Sequence, residues 1–114
     1  MPVVFVLSED WILRTAIRAE LRERGVEALG MESAQDAGRA IAQGTVPAVL
    51  VLDSKSKGAA DPAIQALTRR VSTILIASRV EELPEFEPAV ILNRPVRVAE
   101  VTDAALRLLR GTAV

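Results

Sequence analysis

Four apolar runs of this chain are each followed by a side chain with a functional polar group. These side chains are Glu9, Asp53, Ser78 and Arg94. The run before Asp53, residues 48–52, is wholly apolar, as expected for a strand that is buried on both faces. A carboxylate at the end of such a strand has little reason to be there for stability. Ligands and chemistry gather at the carboxyl ends of parallel strands, so the pattern predicts one crevice lined by these groups.

Short apolar runs alternate with segments of helical period about five times along the chain. Strands are predicted over 3–8, 26–31, 48–53, 73–78 and 89–93. Helices are predicted over 10–24 and 33–43, from Asp61 with Ile64, Leu67 and Val71 on the inner face, and over 97–110. Each of the first three helices starts at a residue suited to capping, and glycines follow the first, second and last.

This alternation predicts an α/β fold of three layers, a doubly wound, five-stranded parallel sheet with helices on both faces. We expect the strand order 2-1-3-4-5, with Glu9 and Asp53 facing each other where the order reverses. The connection 79–88 is short and acidic and contains two prolines, so its helix should be short or missing. Residues 3–110 should form a single domain.

Composition excludes several classes of function. The 114 residues include no cysteine and no histidine, which rules out disulfides, thiolate chemistry, histidine-based triads and ordinary zinc sites. A bound metal would have to be a hard cation such as Mg²⁺ on oxygen ligands. The net charge of -1 argues against nucleic-acid binding and against a polybasic membrane patch. No apolar run approaches the roughly 20 residues of a membrane span, and the start does not resemble a signal peptide, so we expect a cytoplasmic protein.

The four strand ends together resemble the receiver domain of two-component response regulators, over residues 3–110. In that family two adjacent acids end the first strand and hold Mg²⁺, and an aspartate ending the third accepts a phosphoryl group from a histidine kinase. A threonine or serine ends the fourth strand, and Lys-Pro ends the fifth. The corresponding segments here are 7–10, 50–53, 76–79 and 92–95. The resemblance implies the flavodoxin-like receiver fold and a signalling role rather than an enzymatic one.

The acidic end of the site departs from the family pattern. The acidic pair falls on Ser8-Glu9, so one acid is lost, or on Glu9-Asp10 if the register shifts by one residue. Glu9 is the remaining candidate metal ligand, and Asp10 is the expected cap of the first helix. The resemblance adds the Asp53 carboxylate and the backbone carbonyl of Lys55 as further ligands of Mg²⁺.

The basic end departs as well. The hydroxyl position falls on Ala77 or Ser78, the lysine is replaced by Arg94, and the aromatic switch position falls near Ile91. Three placements of Arg94 are open: it pairs permanently with Asp53, it contacts a phosphoryl group as the lysine would, or it points to solvent. An arginine offers a planar fork suited to bidentate contact, whereas a lysine offers a point charge. The bond before Pro95 is expected to be cis, as the resemblance implies.

Two functions follow from these residues. The first is a phosphorelay receiver in which Asp53 is the phosphoacceptor, Arg94 and Ser78 assist the transfer, and a histidine kinase or other signalling protein is the partner. The second is a pseudo-receiver that binds a protein partner without phosphorylation. The lost acid, Arg94 and Ile91 favour the second, and the retained Asp53 and Glu9 favour the first.

Overall fold

The computed structural model describes residues 2–78 and 86–111 and contains five parallel strands in one sheet. The strands are β1 (Val3–Leu7), β2 (Glu27–Met31), β3 (Val49–Asp53), β4 (Ser72–Ala77) and β5 (Val90–Asn93). Their order across the sheet is β2-β1-β3-β4-β5, as predicted. The β1 and β3 strands are therefore neighbours, and the order reverses between them.

The described residues contain four α-helices and one short 3₁₀ helix. They are α1 (Trp11–Glu23), α2 (Ala34–Ala42), α3 (Pro62–Thr68), α4 (Val98–Gly111) and the 3₁₀ helix Lys57–Ala60. The third helix ends earlier than predicted, and Val71 lies beyond it while still packing against the same core. The connection predicted to have a short or missing helix includes residues 79–85, which lie outside the described residues.

Helix starts follow the capping chemistry of the sequence. The Asp10 side chain accepts a hydrogen bond from Leu13 N at 3.1 Å and thereby begins α1. Ser33 caps α2 in the same way, and Asp61 caps α3, where Pro62 occupies the first turn. The Asp10 carboxylate is therefore used as a helix cap.

No helix in the described part of the chain is both long and apolar enough to cross a membrane.

Two apolar clusters lie on opposite faces of the sheet and give the molecule its three layers. Helices α1 and α4 cover one face, where they contribute Ile17, Leu21, Val101 and Ala105. Helices α2 and α3 contribute to the other face, with Ala37, Ile64 and Leu67. These side chains are almost completely buried, and each large one contributes roughly 1.5–3 kcal/mol to folding.

The pleat of the strands determines which face each strand-end side chain lies on. Val49 and Val51 of β3 pack under α1 and α4, and alternation places the next odd residue, Asp53, on the same face. The same two-residue step applies to the other three strands. Their rows on this face run through Val4 and Val6 in β1, Ile74 and Ile76 in β4, and Val90 and Leu92 in β5. The positions that continue the four rows are Ser8, Asp53, Ser78 and Arg94.

Candidate functional site

The Asp53 carboxylate is buried, with its side chain 2% exposed, and it accepts four hydrogen bonds. Its Oδ1 accepts from Arg94 Nη1 at 2.7 Å and from Lys55 N at 3.0 Å. Its Oδ2 accepts from Arg94 Nη2 at 2.6 Å and from Ser8 Oγ at 2.7 Å. An ionised carboxylate has about four lone-pair sites, so the protein itself fills the acceptor capacity of Asp53.

Arg94 makes the two-pronged contact for which the arginine fork is suited. It follows β5, the bond between Arg94 and Pro95 is cis as expected, and its side chain is 20% exposed. The two nitrogens reach different oxygens of Asp53, which is the fork-to-fork geometry of a strong, charge-assisted pair. Of the three placements open for Arg94, the structure has the pairing with Asp53.

Ser8 supplies the remaining side-chain contact to Asp53. Its hydroxyl accepts a hydrogen bond from Asp10 N at 3.1 Å and donates its proton to Asp53 Oδ2. A hydroxyl carries one proton, so the bond received from Asp10 N leaves that proton for the carboxylate. A second acid at this position would place two like charges in contact. Ser8 therefore stabilises the Asp53 carboxylate with a hydrogen bond, whereas a carboxylate at this position would repel it.

These contacts keep Asp53 ionised. Burial on its own raises the pKa of the carboxyl, because it disfavours the charged form. The hydrogen bonds from Arg94, Ser8 and the Lys55 backbone outweigh burial, and the pKa of Asp53 lies below its ordinary value of 3.8. The same pair raises the pKa of Arg94 above its ordinary value, chiefly through its hydrogen bonds to Asp53.

Glu9 directs its carboxylate to the β3–α3 connection, and among the described residues it makes no hydrogen bond to Asp53, which it is expected from sequence to face. Its Oε2 accepts a hydrogen bond from Lys57 N at 2.6 Å, at the start of the 3₁₀ helix. Its own N–H donates to Ser56 Oγ at 2.8 Å. The exposed side chain of Glu9 therefore bonds the β3–α3 connection, because the otherwise unpaired backbone N–H of Lys57 is a good donor to a carboxylate.

Comparison with solved structures places the chain among receiver domains by shape. The receiver domain of the Francisella response regulator 1452 matches with a TM-score of 0.76 and 17% identity, over 98% of this chain and 99% of that chain. A response regulator receiver domain protein from Clostridium thermocellum matches with a TM-score of 0.74 and 15% identity, over 99% and 98% of the two chains. A response regulator receiver protein from Pseudomonas putida gives 0.74 and 20%, over 96% of each. The chain has the receiver fold. No family model and no curated protein sequence matches it.

Within the receiver fold, the residues at the acidic end do not fit a magnesium ion. Mg²⁺ requires near-ideal octahedral coordination by oxygens and usually binds through one or two carboxylates. Here both oxygens of Asp53 are filled by N–H and O–H donors, Ser8 stands where an acid would be, and Glu9 is turned toward Lys57. Among residues 2–78 and 86–111, no group of three acidic side chains is arranged to hold a metal. The cation beside Asp53 is the guanidinium of Arg94.

For two predicted site residues, Ser78 and Lys55, the described part of the chain shows no contact of the predicted kind. Ser78, rather than Ala77, continues the β4 row on the face of the sheet that Asp53 shares, and its Oγ is buried with no hydrogen-bond partner in the described part of the chain. Lys55 contributes its backbone N–H to Asp53. Metal ligation by the Lys55 carbonyl stays a prediction.

Sequence reasoning missed three residues that shape the site. In the sequence Ser8 stands out only as a lost acid, although a serine beside a buried carboxylate is also a donor. Arg14 and Ser56 lie outside the strand-end pattern, and both contact the Ser8–Glu9 peptide. Arg14 lies six residues after Ser8, in the first turns of α1, and that spacing was the available signal.

Proposed function

We propose that the chain is a receiver-fold signalling module that works by binding a partner protein, without phosphorylation of Asp53. The observation that carries this proposal is the two-pronged contact between Arg94 and a buried carboxylate whose acceptor sites are full. In this proposal the Arg94 guanidinium permanently occupies the space beside Asp53 that a metal cation and a phosphoryl group would need. The domain then has one signalling state rather than two.

The chemistry of phosphoryl transfer supports the proposal. An attacking carboxylate oxygen needs a free lone pair, and the developing charge on the phosphoryl oxygens needs a cation and a donor. Asp53 would have to release Arg94 before either oxygen could attack. Breaking a buried, hydrogen-bonded ion pair on one side costs about 3–5 kcal/mol, somewhat less here because Arg94 is partly exposed. Opening of the pair would therefore be rare.

The second candidate is a slow phosphoacceptor, which two observations favour. Asp53 is ionised and stands at the end of β3. The Ser78 hydroxyl follows the neighbouring strand β4 and is buried without a hydrogen-bond partner in the described residues. In this function Arg94 would swing from Asp53 to the phosphoryl oxygens. A histidine kinase would be the partner, and Mg²⁺ could bind Glu9, Asp53 and the Lys55 carbonyl only after Arg94 had left Asp53 and Glu9 had left Lys57 N.

Intact-mass measurement separates the two functions. The protein is incubated with Mg²⁺ and a small-molecule phosphodonor, beside Asp53→Asn and beside an established receiver domain as positive control. We expect the positive control to gain one phosphoryl group and this chain to gain none, since Asp53 has no free oxygen. A gain in the wild type that is absent from Asp53→Asn would refute the interaction module and establish the phosphoacceptor.

A further inference from the structure

The peptide unit between Ser8 and Glu9 is held by side chains on both of its polar ends. Its carbonyl, Ser8 O, accepts a hydrogen bond from Arg14 Nη1 at 2.7 Å. Its N–H, on Glu9, donates to Ser56 Oγ at 2.8 Å. Ser56 is buried, and its own N–H donates to Asp53 O at 3.0 Å, so this side of the peptide is tied to the end of β3.

Arg14 reaches this peptide over a glycine of the neighbouring strand. A Cβ at Gly30 of β2 would lie 3.1 Å from Arg14 Cγ and 3.3 Å from Arg14 Cδ, tighter than ordinary packing. The missing side chain therefore leaves room for the stem of Arg14 to lie flat on β2. The Arg14 side chain is only 19% exposed, and its single ion pair among the described residues is a long contact of 4.0 Å to Glu32.

We infer that Arg14 and Ser56 are positioning residues that clamp the Ser8–Glu9 peptide and thereby keep the Ser8 hydroxyl aimed at Asp53. The inference rests on the proposed function, in which Asp53 is a permanent acceptor. A fixed peptide fixes the backbone of Ser8, and Asp10 N occupies the acceptor side of its hydroxyl. Asp53 is then held from one side by Arg94 and from the other by a serine that cannot turn away.

Arg18 provides a matched control for Arg14. It lies one turn further along α1 and its Nε donates to Ala28 O of the same strand β2, at 3.3 Å. Replacing either arginine by methionine removes one positive charge and one side-chain bond to backbone while retaining a good helix former. Only Arg14 touches the Ser8 carbonyl.

The test is the titration of the Asp53 carboxyl, followed by its ¹³C chemical shift in the full chain. Arg94 is the charged partner of Asp53, Asp10 at the start of α1 acts electrostatically on Arg94, and Glu32 faces Arg14. We expect Ser8→Ala, Arg14→Met and Ser56→Ala each to raise the pKa of Asp53, because each weakens a hydrogen bond to the charged form. Arg18→Met should leave it at the wild-type value.

A double variant decides whether Arg14 acts through Ser8. In the Ser8→Ala background, Arg14→Met should cause no further rise, whereas a direct effect of charge would add the same shift in both backgrounds. The inference is overturned if Arg14→Met leaves the pKa of Asp53 unchanged, or shifts it equally with and without Ser8. Phosphorylation of the wild type in the mass experiment would defeat the proposed function and leave this result standing, so the two failures are distinguishable.

Discussion

Asp53 shows how a buried carboxylate is balanced by side chains of its own protein. Removing an acid from water costs several kcal/mol, and the cost is recovered only with excellent geometry and with the remaining lone pairs satisfied. Arg94 supplies the charge in bidentate form, and Ser8 and the Lys55 backbone fill the remaining positions. A lysine would supply the charge at a single point and leave one oxygen poorly satisfied.

The lowered pKa of Asp53 predicts how stability depends on pH. Because the pKa is lower in the folded than in the unfolded chain, the stabilisation by Asp53 is fully present above about pH 4. It is lost as the pH falls through the folded-state pKa. Asp53→Asn should therefore be less stable than the wild type at pH 7, and should lose less stability on acidification below about pH 4. Urea unfolding at a series of pH values measures both.

An equal loss of stability on acidification in the wild type and in Asp53→Asn would contradict this assignment. Glu23→Gln is a suitable control, because Glu23 is an exposed acid in the last turn of α1, just before β2, with no side-chain hydrogen bond or ion pair to the described residues. It should follow the wild-type pH profile.

At the residue level, the sequence included the pairing of Arg94 with Asp53 among three open placements and left the surrounding contacts undetermined. The two residues stand at strand ends and carry opposite charge, so their meeting follows from topology. The orientation of Glu9 could not be predicted, because it depends on which backbone N–H of a distant loop lies within reach. The donor role of Ser8 depends likewise on the Asp10 N–H at the turn into α1.

At the level of elements, the strands position the site through their pleat. Each of the inward rows of β1, β3, β4 and β5 ends in two apolar residues followed by a polar one. The sequence predicted the strands and their order because parallel strands buried on both faces form continuous apolar runs. It left the choice between Ala77 and Ser78 open, since such a run carries no alternation from which to read the face.

Two serines at these strand ends form a matched pair for mutation. The Ser8 hydroxyl bonds the buried Asp53, so Ser8→Ala should destabilise the protein by about 1–3 kcal/mol. The Ser78 hydroxyl is buried without a partner in the described residues, so Ser78→Ala should change stability by no more than about 0.5 kcal/mol. Chemical denaturation of both variants at pH 7 measures the difference. Equal costs would mean that the donor role of Ser8 is wrong.

Helix lengths show what else the sequence left undetermined. The periodicity after Asp61 extends to Val71, yet α3 ends at Thr68. Val71 N donates to Leu67 O and its side chain still packs against the core under α3. The apolar period therefore persists past the end of the helix, because the chain must bury Val71 as it turns into β4.

At the level of the whole molecule, the receiver fold is retained at 15–20% identity to the solved receivers named above. Burial patterns tolerate exchange among apolar residues of similar size, so a fold persists while its sequence changes. A functional site has no such tolerance, and the resemblance found in the sequence implies that Ser8-Glu9 and Arg94 stand here in place of an acid pair and a lysine. The fold therefore does not by itself imply the chemistry.

The free energy of unfolding of the whole molecule tests the central claim, that Arg94 and Asp53 form a permanent pair. It is measured at pH 7 for the wild type, Asp53→Asn, Arg94→Met and the double variant. We predict a coupling energy of about 1–3 kcal/mol, with Arg94→Met less stable than the double variant, because the single change leaves a buried carboxylate without its cation. Costs that add to within about 0.5 kcal/mol would mean that the two residues do not interact in solution, and would contradict the account.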